Sequence, residues 1–210
     1  MNVINTEGIA RDVVVIGAST GGIAAVAQVL RALPSDLPAI IGLVIHRSAT
    51  SLTDWSQAFQ AMTRLRVTEP SDGERLVRGS VYVAPADHHM RFSDGCAHLD
   101  RGPKQAFARP SADILFGSAA AEYTQRVVGV VLTGNGTDGA EGCLAVFDRG
   151  GISIVQRPDE AAAASMPIQA IARDHIHGEL SIDDIASALS AMVHGRSAQV
   201  LSVGGSQPNA

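Results

Sequence analysis

The sequence predicts an α/β fold: a doubly wound, mostly parallel sheet flanked by helices in three layers, with an antiparallel β-hairpin insert. Three observations predict it. Strand-length apolar runs occur at residues 13–17, 38–46, 126–134 and 151–156, too continuous to leave one face in water, as strands buried on both faces require. A segment of helical apolar spacing follows each of them, the alternation that βαβ units produce. The 210 residues are enough for one such core, and no internal repeat or linker divides them.

Taken in order, the first strand (13–17) runs into Gly17-Ala18-Ser19-Thr20-Gly21-Gly22, a tight turn that opens a helix over 21–33, stopped by Pro34. The second strand leads to a helix over 52–62. A break rich in turn residues follows, with a short strand at 80–84 and a hairpin around Ser93-Asp94-Gly95. Helix returns at 111–123, with Ser111 expected as N-cap and Asp113 in the first turn. The third apolar strand precedes a helix from Asp138 to about Arg149. A fourth parallel-type strand and two late helices, 166–173 and 182–192, complete the domain.

Composition bounds the function. Hydrophobic residues make up 46% and charged residues 18%, and the net charge is −5, so a nucleic-acid partner held by bulk electrostatics is not expected. Cys96 and Cys143 show no metal-ligand spacing, so neither structural zinc nor a disulfide framework is expected. The first dozen residues lack an apolar signal core, and no apolar run reaches about 18 residues. A cytoplasmic protein without membrane insertion is the expectation, with flexible termini at 1–11 and 197–210.

In doubly wound sheets, sites form beyond the carboxyl ends of the strands. Three strands here end on groups able to do chemistry: Ser19 after the first, His46 closing the second, and Asp138 six residues past Leu132 of the third. Together they supply a nucleophile, a general base and a carboxylate that orients the imidazole. The helix behind Ser19 offers the Thr20 amide to an oxyanion, and the loop Gly134-Asn135-Gly136 offers a second. Each residue alone has a plainer reading: a cap for Ser19, a hydrogen-bonded histidine for His46, and a cap on the 139–142 turn for Asp138. Agreement among three strand ends favours chemistry.

Rival motifs fit less well. Gly17-Ala18-Ser19-Thr20-Gly21 matches the G-x-S-x-G elbow of α/β-hydrolases, but there the acid precedes the histidine and the elbow follows several strands. Gly17, Gly21 and Gly22 lack dinucleotide spacing, and the second strand ends in His46-Arg47 rather than an acid. No metal or organic cofactor is expected.

These residues, with "VVVIGASTGG", "GSVYVAPADHHM", "RPSADILF", "VVLTGNGTDGAEG" and "MPIQAI" in that order, resemble the catalytic domain of chemotaxis-type protein-glutamate methylesterases, the CheB family. The resemblance implies a catalytic domain over about 12–194, with Ser19 as nucleophile, His46 as base and Asp138 as third member. It implies hydrolysis of γ-glutamyl methyl esters on the cytoplasmic regions of methyl-accepting chemoreceptors, releasing methanol, and in some members glutamine deamidation. Only about a dozen residues precede the first strand, so a stand-alone form without the receiver domain is expected, with any regulation supplied by a partner signalling protein. Ile45 and Asn135 stand where the family often has glutamine and methionine, and Arg47 beside the histidine is unusual. Arg109 would line the cleft and meet an acidic receptor helix, or else be a solvated arginine beside a capped helix. His88 and His89 are read as structural or surface residues. The alternatives are a catalytically weak module that binds receptor or signalling helices, and an esterase for another carboxyl ester.

Overall fold

The computed structural model describes residues 2–6 and 8–200. After β1 (Asn2–Ile4) come β2 (Val13–Ala18), α1 (Gly22–Ala32), β3 (Ile40–Ile45) and α2 (Trp55–Gln60). The middle of the chain forms β4 (Arg66–Thr68), β5 (Glu74–Arg75), β6 (Ser80–Val83), β7 (His89–Ser93), β8 (Cys96–Asp100) and α3 (Ala112–Tyr123). Then follow β9 (Val127–Val131), α4 (Ala140–Asp148), β10 (Ile152–Gln156), α5 (Ser165–Ile171), β11 (Gly178–Leu180), α6 (Ile182–Val193) and β12 (Ala198–Val200).

The main sheet has the order β11-β10-β9-β2-β3-β6-β4, and every neighbouring pair is parallel. Its central strand alternates as a doubly covered strand must. Val14, Ile16 and Ala18 enter one apolar cluster with Val26 of α1, Phe59 of α2 and Leu189 of α6. Val13 and Val15 enter the other, with Phe116 of α3, Cys143 of α4 and Met166 of α5. This is the three-layer architecture that the apolar runs predict. The chain runs outward from β2 through β3 on one side and through β9 on the other. The carboxyl ends of these three strands therefore flank a topological switch point, where a crevice opens.

Several elements depart from expectation. The second helix starts only at Trp55, because Asp54 caps it, its Oδ1 accepting from the Ser56 and Gln57 amides at 2.9 and 3.3 Å; Leu52, three residues earlier, stands 99% exposed. The hairpin at 94–95 forms with both turn residues at positive φ, but β5 joins it to make a three-stranded antiparallel sheet. The edge strands β4 and β11 are three residues each, too short to carry a periodic signal. Within the terminal segments 1–11 and 197–210, β1 pairs antiparallel with β12, Val3 opposite Gln199. Burial explains the anchoring, since Ile4 and Ala198 both belong to the core. Residues 201–210 lie outside the described residues.

Candidate active site

Sheet register brings the first two candidates together. Ala18 of β2 is aligned with Ile45 of β3, and the His46 amide donates to the Ala18 carbonyl at 3.0 Å. Ser19 and His46 are thus neighbours at the ends of adjacent parallel strands. Ser19 is fixed from its other side by its own amide, which donates to the Thr133 carbonyl at 3.0 Å beyond β9. Thr133 also donates its hydroxyl to the Thr20 carbonyl at 2.9 Å. The turn closes through Gly21, whose φ of 78° suits glycine.

Asp138 lies two residues before α4, and its carboxylate is 1% exposed. His46 Nε2 donates to its Oδ2 at 2.6 Å. The remaining lone pairs meet the start of α3: the Ser111 hydroxyl at 2.7 Å and the Asp113 amide at 3.0 Å on Oδ1, and the Ala112 amide at 2.6 Å on Oδ2. Burial pushes the Asp138 carboxyl up, but these hydrogen bonds, led by that of His46, outweigh it and hold it below the usual aspartate range. A carboxylate that stays ionised at a helix N-terminus keeps the Nε2 proton of His46 in place. Nδ1 is then the ring nitrogen free to accept a proton, and no hydrogen bond occupies it among the described residues. The Ser19 hydroxyl likewise makes no hydrogen bond among them, so the structure joins His46 to Asp138 but leaves the Ser19–His46 contact unmade.

The caps at these two helix starts differ from the expected Ser111 cap and from the plainer reading of Asp138. Ser111 occupies the N-cap position of α3 in extended conformation, but its side chain makes no cap bond to the helix; it turns to Asp138. Asp138 does not cap the 139–142 turn. That duty falls to Asp113, whose Oδ1 accepts from the Gly139 and Gly142 amides at 2.8 and 2.7 Å. Each aspartate therefore holds the helix start of the other's element. Burial first, then the Asp138 charge, pushes the Asp113 carboxyl up to about 7, against the opposing pull of the two glycine amides.

The Thr20 and Asn135 amides donate to no group among the described residues, as expected of backbone N–H groups left for a ligand. The Asn135 side chain reaches across to the Thr20 hydroxyl, Nδ2 to Oγ1 at 3.1 Å, linking the two loops. Between them sits Gly134. A Cβ there would lie 2.2 Å from Met166 Sδ and 2.7 Å from Ser19 Cβ, so only glycine lets the third loop lie against Ser19. The glycine-rich loop at Gly134 was expected at the site, whereas the packing of Met166 against Gly134 and of Thr133 against the Ser19 turn was not, because Met166 lies about 30 residues further along the chain and carries no local signal of that contact.

A cleft of about 600 Å³ opens over this region, with His46, Asn135, Asp138, Lys104, Phe107 and Arg109 in its walls; Ser19 is not among the residues that line it. Arg109 does line the cleft, but its guanidinium is committed to the Asp87 carboxylate at 2.6 and 3.0 Å and to the carbonyls of Arg101 and Gly102. Arg47 is equally committed, 5% exposed and paired with Glu69 at 2.7 Å, so it braces the loop after His46. Buried His89 stands 3.0 Å from the Pro103 carbonyl through Nε2, and His88 turns Nδ1 to the Ala86 carbonyl.

Residues 14–189 match the family model described as CheB methylesterase. A protein of Leptospira interrogans, named provisionally as a protein-glutamate methylesterase/protein-glutamine glutaminase, is 35% identical over 176 residues, 83% of this chain and 91% of its own. Protein-glutamate methylesterase/protein-glutamine glutaminase 2 of Anaeromyxobacter dehalogenans is 40% identical over 181 residues, and this chain spans about half of it, 52%. The crystal structure of the Thermotoga maritima CheB methylesterase catalytic domain superposes with a TM-score of 0.81 at 30% identity, over 87% of this chain and 98% of that domain.

Proposed function

Because this chain belongs to the CheB methylesterase family, a family of carboxylic ester hydrolases, we propose that it hydrolyses glutamate γ-methyl esters on the cytoplasmic regions of chemoreceptors through Ser19, His46 and Asp138. The observation that carries the reading is the His46–Asp138 bond, locked by the N-terminus of α3, one strand away from a serine flanked by two undonated amides.

Ser19 Oγ attacks the ester carbonyl while its proton passes to His46 Nδ1, which requires the hydroxyl to turn toward the ring when substrate is seated. The carbonyl electron pair moves onto oxygen, where the Thr20 and Asn135 amides receive it. Collapse expels methoxide, which takes the proton from the imidazolium and leaves as methanol. Water, deprotonated by His46, then cleaves the acyl-serine and frees the glutamate carboxylate and the serine hydroxyl. Asp138 stays ionised throughout and stabilises the imidazolium. A γ-carboxamide fits the same steps with ammonia as leaving group, in keeping with the second activity in the relatives' names. The catalytic unit extends over about 12–194. No helix among the described residues is long and apolar enough to cross a membrane.

The test is methanol release from methylated receptor cytoplasmic fragments by wild type and Ser19→Ala side by side. Wild type releases methanol and the variant falls by roughly 10⁴-fold or more, with an unchanged melting midpoint. Equal release by both removes Ser19 as nucleophile; no release by the folded wild type removes this substrate.

A further inference from the structure

The most strained segment at the cleft has no part in the chemistry above. Gln105 and Ala108 form an isolated antiparallel bridge, each amide donating to the other's carbonyl, at 3.1 and 2.8 Å. The two residues between them, Ala106 and Phe107, have φ of 47° and 64°. A two-residue hairpin tip with both central residues at positive φ ordinarily calls for Asn-Gly, because a Cβ crowds the backbone there. Phe107 accepts that strain and also stands 98% exposed, so no contact within the protein offsets either cost. Strain of this kind collects where a side chain must be presented to something else.

The hairpin is rooted at both legs. Pro103 meets buried His89, and Arg109 is fastened to Asp87 and to two carbonyls. The tip is therefore held in place before any partner arrives, which lowers the ordering cost of contact. Charge adds a second feature. Lys104 is exposed and ion-pairs with no carboxylate among the described residues, whereas Arg47 and Arg109 are paired with Glu69 and Asp87. Asp138, the one acid in the cleft wall, is buried and turned to His46. A chain of net charge −5 thus shows a free cation beside a bare aromatic ring at its cleft.

We infer that the hairpin from Lys104 to Arg109 is a docking finger for the protein substrate: Phe107 packs on an apolar side chain next to the esterified glutamate, and Lys104 pairs with a carboxylate on the same segment. The inference rests on the esterase reading above and deepens it, since a small ester that occupies only the reacting end of the cleft has nothing to offer the finger.

The experiment measures kcat/KM for methylated receptor fragment and for p-nitrophenyl acetate, each corrected with Ser19→Ala, for wild type, Phe107→Ala, Lys104→Glu and the double exchange Ala106→Asn with Phe107→Gly. The double exchange supplies a hairpin tip of ordinary composition and removes the ring, so it keeps the loop while testing the side chain. For all three variants the ratio of protein-ester to small-ester kcat/KM falls about tenfold, the loss expected when a contact residue is deleted, and for Lys104→Glu the loss shrinks as salt screens the pair. A ratio equal to that of the wild type in the two Phe107 variants overturns the finger while the esterase reading stands. Wild type without Ser19-dependent hydrolysis of the protein ester overturns the esterase reading, and the finger with it.

Discussion

Asp138 is asked to stay ionised while almost wholly out of water, and four donors make that feasible: one imidazole, one hydroxyl and two backbone amides. Asp138→Asn replaces one acceptor oxygen by an NH2 group that must face a donor. If it faces His46, the imidazole is driven to the wrong tautomer; if it faces α3, it abuts a hydroxyl and an amide. Turnover is expected to fall by roughly 10³–10⁴-fold, and the melting midpoint to drop as well, unlike that of Ser19→Ala. Steady-state kinetics and a thermal melt of the same sample check both, and unchanged kinetics would take Asp138 out of the mechanism. The sequence marked Asp138 as reactive from its place after an apolar strand. It gave no sign of the donors, because Ser111, Ala112 and Asp113 lie 25 to 27 residues away.

At the scale of elements, α3 and α4 cap one another. Asp138 satisfies the Ala112 and Asp113 amides at the start of α3, and Asp113 satisfies the Gly139 and Gly142 amides at the start of α4, so two orphan donors at each buried helix start are met by a carboxylate. Two carboxylates so close cannot both ionise cheaply, and Asp113 is the one that yields, with a value near 7 against an ordinary 3.8. The folded chain therefore binds this proton more tightly than the unfolded one. The stability it contributes is fully present below pH 3.8 and is lost as pH rises through about 7. Asp113→Asn keeps an acceptor for the two glycine amides and is neutral at every pH. Its melting midpoint, relative to wild type, is expected to gain a few degrees between pH 5 and pH 8. Scanning calorimetry across that range checks it, and a constant difference would mean that Asp113 is charged throughout.

Across the whole molecule, the switch-point crevice sits at one end of the sheet and an ionic anchor at the other. Buried Asp12, just before β2, pairs with Arg126 before β9 and with Arg78 before β6, tying three strand starts opposite the site. The antiparallel sheet is held to this body by Phe92 of β7, fully buried, edge-on to Tyr82 of β6, with its amide donating to Ser118 of α3 at 3.0 Å. Phe92→Ala is expected to cost about 3–5 kcal/mol, read as a lower urea midpoint at unchanged slope; a loss below about 1 kcal/mol would mean that the insert contributes little to the main core.

By itself the sequence determined the layers and the three strand ends, because continuous apolar runs and their helical followers record burial residue by residue along the chain. Gly134 and the glycines around Ser19 were legible as a loop signal for the same local reason. The tertiary structure alone decided which aspartate caps which helix, that Arg47 and Arg109 are committed to partners, that three-residue edge strands extend the sheet, and that a phenylalanine sits on a strained tip beside the cleft. Those facts depend on hydrogen-bond partners and exposures that exist only once packing has brought distant segments together, and a one-dimensional pattern of hydrophobicity carries no trace of them.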